Sequence, residues 1–123
     1  MLDGPLTAAS SLKMSYAGIT KGFTALGAGM MLAAARGGSA EALKAELKES
    51  QPALLTFFDR MVPSMYSKAY RWVAELDEIS DFVGKDRAEN AMLSAAARFY
   101  EDIARDFDGG KEEIAAMDKF LGK

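Results

Sequence analysis

The stretch Ala8–Gly22, AASSLKMSYAGITKG, decides how the rest of the chain is read. It sits inside a helical pattern running from Pro5 to Arg36 that holds only two charges before its last residue, Lys13 and Lys21. Large apolar residues recur at Leu12, Tyr16, Ile19, Phe23, Leu26 and Met30, in steps of four and three that lay one stripe along a helix. A second stripe of small residues, Ser11, Ser15, Gly18, Gly22, Ala25 and Gly29, runs beside it. A helix that is apolar on one side and small on the next is expected to be buried, with other backbones close by. At about 1.5 Å per residue it spans roughly 45 Å, more than a domain of this size requires. The expectation is a central post with the other helices packed around it.

Working outward, Gly37-Gly38 stops this helix, and Ser39 caps a short one to about Ser50 whose apolar face is Ala42, Leu43 and Leu47. Gln51-Pro52 opens a third helix bearing Leu54, Leu55, Phe57, Phe58, Met61 and Val62. Pro63 is expected to end it, and Ser64 to cap a fourth that runs to Val83. Asp86 and Glu89 have the spacing of a capping box for a fifth helix, Arg87 to Phe107, buried at Met92, Ala95, Ala96, Phe99, Tyr100, Ile103 and Phe107. Asp108-Gly109-Gly110 breaks the chain before a last helix, Lys111 to Leu121. No segment alternates with period two long enough to make a strand. The fold class is all-α, about six helices in one domain over residues 1–123.

Composition removes whole classes of function. With no cysteine and no histidine, the chain can hold no disulfide, no Ser-His-Asp triad and no Glu-x-x-His di-iron motif, and the metal expectation is none. A net charge of -3 without a basic block gives no electrostatic support for nucleic acid or an anionic membrane, and a helix-turn-helix reading lacks a basic recognition helix. The uncharged run Gly22–Ala35 is 14 residues, too short to span a bilayer. The opening MLDGPLTAASSLK carries Asp3 and lacks the layout of a signal peptide, so the expected location is cytoplasmic, in keeping with the absence of cysteine. Neither GxGxxG nor GxxxxGK[ST] occurs, so a dinucleotide has no ordinary seat here.

Two readings of Lys13 are open. It is either a lysine snorkelling at the margin of a bundle, or a lysine held in a cleft to donate a proton or to clamp an oxyanion. Gly18-x-x-x-Gly22 indicates a close helix crossing. Lys68 and Arg71 share a helix face that could receive a phosphate or carboxylate; the competing account is a solvated face on which Arg71 pairs with Glu75. The acids Glu75, Asp77, Glu78 and Asp81 lack calcium-loop spacing and are expected at the surface.

The block Ala8, Ala9, Ser10, Lys13, Met14, with Lys21-Gly22 following, resembles the start of the helical C-terminal domain of NAD(P)-dependent oxidoreductases of the β-hydroxyacid dehydrogenase and 6-phosphogluconate dehydrogenase superfamily. KAYRWVAELDEIS, Lys68 to Ser80, is similar to a second block of the branch whose C-terminal domain has no assigned function. The resemblance implies that Lys13 is the catalytic lysine, acting as general acid/base or polarising a carbonyl. It places Ser10 against a substrate carboxylate or hydroxyl, with Tyr16 and Ala17 at positions where the wider family carries substrate-binding asparagines. Thr7 and Ala9 replace family glycines, so an ordinary 3-hydroxy acid does not follow as the substrate. Lys68 falls near a family lysine on the nicotinamide side of the cleft. The cofactor implied is NAD or NADP, held mainly by an N-terminal dinucleotide-binding domain, in cis or in trans, that this sequence does not contain. The partners implied are that domain, a small-molecule substrate and a second copy in a homodimer, and the isolated chain is expected not to turn over. The alternative is a non-catalytic helical dimer or interaction module.

Overall fold

The computed structural model describes residues 4–123. The reading of Met1 to Asp3 as lacking a signal sequence lies outside them. Six helices follow in order: α1 Gly4–Arg36, α2 Ala40–Ser50, α3 Pro52–Met65, α4 Ala69–Val83, α5 Ala88–Asp108 and α6 Glu112–Leu121. Every element among the described residues is helical, as the periodicity requires. None of these helices is long and apolar enough to cross a membrane.

The glycine stop after α1 is a Schellman turn. The Ser39 N–H donates to the Ala34 carbonyl at 2.8 Å and the Gly38 N–H to the Ala35 carbonyl at 3.3 Å, with Gly38 at φ 77°. Ser39 holds the cap position of α2 without a side-chain bond to the helix. Gln51 serves both as the last cap of α2 and the first of α3, giving a tight pair of helices. α6 is capped from a distance: the Asp106 carboxylate accepts from the Ile114 N–H at 2.9 Å and the Glu113 N–H at 3.2 Å.

α4 and α5 form an antiparallel hairpin around Gly84, which takes φ 101° to turn the chain. At the turn, Ser80 Oγ donates to the Asn90 carbonyl at 3.1 Å and Asn90 Nδ2 donates to the Ser80 carbonyl at 2.7 Å. Further down, Trp72 and Tyr100 meet edge to face with centroids 5.2 Å apart. α1 crosses this hairpin antiparallel to α4. A Cβ placed on Gly18 would lie 3.3 Å from Ile79 Cγ2, and Lys21 faces Glu75 and Trp72. The core gathers Leu32 of α1, Phe58, Val62 and Met65 of α3, Trp72 and Leu76 of α4, Tyr100 and Ile103 of α5, and Met117 and Phe120 of α6. Tyr66 Oη donates to Asp118 at 2.8 Å and ties the end of α3 to α6; burial first, then that bond, pushes its hydroxyl pKa up.

Several expectations are corrected. The bulky stripe of α1 does not face the core: Leu12, Tyr16, Ile19, Leu26 and Met30 are exposed, and Phe23 is 40% exposed. The buried positions are Thr24, Ala25, Ala28, Met31 and Leu32, so only the C-terminal half of α1 serves as a post. Packing selects the small residues, because they let Ile79, Leu93 and the Phe58 ring approach the backbone. Pro63 does not end α3. It sits in the last turn, where it forgoes one backbone bond while buried Val62 and Met65 hold the turn in the core, and α4 begins after Lys68 rather than at Ser64. In α5, Met92 and Ala95 are exposed and Phe99 and Phe107 half-buried, because the buried line passes through Ala96, Ala97, Tyr100 and Ile103. The Asp86–Glu89 capping box does not form: Arg87 occupies the cap position, and its guanidinium pairs with Glu89 at 3.3 Å. The acidic run is at the surface as expected, except that Glu75 pairs with Lys21 of α1 rather than Arg71, and Asp77 pairs with Arg98 of α5 at 2.9 Å.

Candidate functional site

The first half of α1 carries the candidate residues. Lys13 is exposed, Ser10 and Ala17 are half-buried, and Tyr16 is exposed. At roughly 100° per residue, Ser10 and Ala17 follow the line that continues through Lys21, Thr24 and Ala28 into the core, and Lys13 stands at its edge. Three of the candidates therefore share adjoining faces by register alone, and Tyr16 stands on the exposed stripe beside Lys13. Thr20 and Thr24 continue that flank; their hydroxyls bond back to the Tyr16 carbonyl at 3.2 Å and the Thr20 carbonyl at 2.7 Å, so neither is left unpaired.

Lys68 lies elsewhere. It caps the N-terminus of α4 and is exposed. On the antiparallel α1–α4 pair it falls past the Glu75 level in one direction while Lys13 falls past the Lys21 level in the other. The two are on the order of 20 Å apart along the helix axes. Helix register places Ser10, Lys13 and Ala17 on adjoining faces of α1, with Tyr16 on the exposed stripe beside Lys13, and Lys68 lies at the far end of the hairpin. Arg71, beside Lys68, lies with its guanidinium 6.0 Å from the Tyr70 ring centroid.

The charged residue that the structure engages most is Lys21. Its ammonium pairs with Glu75 and lies 4.9 Å from the Trp72 ring centroid, and its backbone carbonyl accepts from Tyr100 Oη at 2.5 Å. Its side chain is 19% exposed, so this is a desolvated cation held by a carboxylate and an aromatic face. Burial pushes the Tyr100 hydroxyl pKa up and keeps it a donor. The cluster locks α1, α4 and α5 together one turn beyond Ala17. Its signal in the sequence was the Lys21-Gly22 pair, whose glycine admits Leu93 while the lysine turns toward α4.

On the opposite flank of α1 an open groove of about 800 Å³ runs between α1 and α5, closed at one end by Phe82 and Val83 of α4. Its floor includes Gly18 and Gly22 and its wall Leu93 and Phe99; Glu89 is the one acid that lines it. The backbone N–H of Glu89 itself is the first cause holding that carboxyl below the usual carboxylate range, with Arg87 adding to it. Among the described residues no three acidic side chains gather as a metal-binding group.

One class of helical domain is the C-terminal domain of 6-phosphogluconate dehydrogenase-like β-hydroxyacid dehydrogenase relatives. The chain belongs to one such family: the model described as a domain of unknown function, DUF1932, matches residues 34–103, more than half of the sequence. The match runs from the end of α1 through most of α5 and includes the Lys68–Ser80 block; Ser10, Lys13 and Lys21 lie ahead of it. No curated protein and no solved structure matches the chain.

Proposed function

We propose that this chain is the substrate-cleft domain of an NAD(P)-dependent oxidoreductase and that Lys13 is its catalytic residue. The observation that carries the reading is membership of the family of C-terminal domains that accompany dehydrogenase-like proteins. The position of Lys13 supports it: an amine on the uncovered half of α1, flanked by Ser10 and Ala17, is open to a substrate and to a second domain.

Among the described residues, six helices without a strand, glycine loop and helix unit do not fit a dinucleotide, so NAD or NADP would be held by a dinucleotide-binding domain and would supply the hydride acceptor or donor. The part played by this chain concerns the substrate. As a hydroxyl carbon is oxidised, the Lys13 amine takes the hydroxyl proton while the carbonyl forms. In the reverse direction the Lys13 ammonium polarises the carbonyl oxygen and returns the proton. The Ser10 hydroxyl donates to a substrate carboxylate or hydroxyl. Tyr16 and Ala17 border the same place, and Tyr16 supplies an aromatic wall where an amide would have donated. Lys68 could face the cofactor only if the dinucleotide-binding domain reaches along α4.

The test is steady-state kinetics of the assembled enzyme with Lys13→Met. Loss of a general acid/base is expected to lower kcat by roughly 10²- to 10⁴-fold with a much smaller change in KM. An unchanged kcat removes the catalytic assignment. The second reading, a non-catalytic interaction module, is favoured by the exposed bulky stripe of α1, and it predicts that unchanged kcat.

A further inference from the structure

The half of α1 that carries the candidate residues is steered from one junction. From Thr7 to Phe23 no residue of α1 is buried, and the first buried one is Thr24. Among the described residues, two polar bonds tie that stretch to other helices, and both end on Lys21. The ammonium pairs with Glu75 of α4, and the carbonyl accepts from Tyr100 Oη of α5 at 2.5 Å. Trp72 closes the ring of contacts: the Lys21 ammonium lies 4.9 Å from its centroid, and Tyr100 meets it edge to face at 5.2 Å. Lys21 is thereby fixed by its side chain and by its backbone, to two different helices. A helix tied to one neighbour can roll about its own axis; ties to two neighbours oppose roll and tilt together. The approach of Gly18 to Ile79 and Leu93 is apolar and has no preferred direction, so it sets spacing rather than bearing.

Lys13 lies two turns N-terminal of Lys21, roughly 12 Å along the helix axis. On that lever a tilt of about 5° at the junction moves the start of the Lys13 side chain by roughly 1 Å. A misplacement of about 1 Å at a reacting group can cost on the order of 100-fold in rate. We infer that Lys21 is the positioning residue for Lys13: its hold on Glu75, Trp72 and Tyr100 fixes the bearing of the open half of α1, and with it the place of the Lys13 amine. The inference rests on the catalytic reading of Lys13. With Glu75 46% exposed, the ion pair contributes little to stability, so the signature of positioning is a loss of turnover out of proportion to the loss of stability.

The experiment is steady-state kinetics of the assembled enzyme with Lys21→Met, Lys21→Arg, Glu75→Gln and Tyr66→Phe beside Lys13→Met, each below its unfolding transition. Lys21→Met keeps the aliphatic stem without the charge and is expected to lower kcat roughly 10- to 100-fold with little change in KM. Glu75→Gln is expected to lower kcat in the same direction. Lys21→Arg keeps a cation for the carboxylate and the indole face and is expected to recover most of the turnover. Tyr66→Phe removes a bond between the end of α3 and α6, away from α1, and is expected to leave kcat unchanged. A readout independent of turnover uses the absence of native cysteine: nitroxides on Ala9→Cys of α1 and Glu112→Cys of α6 report their separation by electron spin resonance. Lys21→Met is expected to broaden that distance distribution. Wild-type kcat in Lys21→Met, with Lys13→Met impaired, overturns the inference and leaves the Lys13 assignment standing. An unchanged distance distribution overturns it too, as does a Lys21→Arg or Tyr66→Phe enzyme as impaired as Lys21→Met. Full turnover by Lys13→Met removes the Lys13 assignment, and this inference with it.

Discussion

Gly27 offers a quantitative test of the packing that buries the C-terminal half of α1. In an exposed helix interior, Gly→Ala stabilises by about 1 kcal/mol. At Gly27 an added Cβ would lie 2.3 Å from two atoms of the Phe58 ring and 2.9 Å from a third. The ring has no free direction in which to move. Phe58 is 4% exposed, tilted against Phe23 at 5.2 Å and edge-on to Phe57 at 5.6 Å. Overpacking of this kind costs about 1–3 kcal/mol, so Gly27→Ala is expected to destabilise by a net of up to ~2 kcal/mol. For a chain of this length that lowers Tm by up to roughly 10 °C. Gly29→Ala is the control, since its Cβ would meet Phe99 at an ordinary 3.8 Å; it is expected to raise stability. Urea and thermal unfolding followed by circular dichroism measure both, and Phe58→Leu should relieve much of the Gly27→Ala penalty in a double-mutant cycle. A Gly27→Ala protein at least as stable as Gly29→Ala would refute the close α1–α3 approach.

Three further outcomes follow from the α1–α4–α5 junction and the buried tyrosines. Lys21→Ala removes the Glu75 ion pair and the Trp72 face contact and is expected to cost about 1 kcal/mol, less at high salt; salt-independent stability equal to wild type would show that the cluster contributes nothing. Tyr100→Phe keeps the ring against Trp72 but loses the bond to the Lys21 carbonyl, an expected loss of about 1 kcal/mol in urea unfolding. Folding raises the hydroxyl pKa of Tyr66 and Tyr100, so their stabilising contribution is complete below the unfolded tyrosine value of about 10 and is lost as pH rises above it. Ultraviolet titration should find both protonated until the protein unfolds, with Tyr66→Phe and Tyr100→Phe each removing part of the delayed ionisation; titration of both in the folded protein would contradict the burial.

The helix boundaries were legible because they rest on local chemistry: Gly37-Gly38, Gln51-Pro52, Gly84 and Gly109-Gly110 each mark a real end. The buried face of α4, Ala69, Trp72, Leu76 and Ile79, follows a plain pattern, since one stripe is apolar and the opposite one charged. The orientation of α1 was not legible. It has two apolar sides, and periodicity reports that a face is apolar without reporting what covers it. Bulk suggested that the Leu12–Met30 stripe was core, whereas the small side admits the neighbouring helices. Pro63 misled for a related reason: a proline costs one bond near a helix end, and the burial of Val62 and Met65 outweighs it. The placement of Ser10, Lys13 and Ala17 on adjoining faces of α1 follows from helix register, but the pairing of Lys21 with Glu75 spans 54 residues and no local pattern encodes it.

The proposed role of the Lys13 side chain is to move the proton. Chemical rescue measures this most directly: turnover of the assembled enzyme carrying Lys13→Ala, with and without a small primary alkylamine. A catalytic Lys13 predicts a protein that still binds substrate, loses roughly 10²- to 10⁴-fold in kcat, and regains part of it in proportion to added amine. Full turnover by Lys13→Ala without amine would contradict the claim and leave α1 as an interaction helix alone.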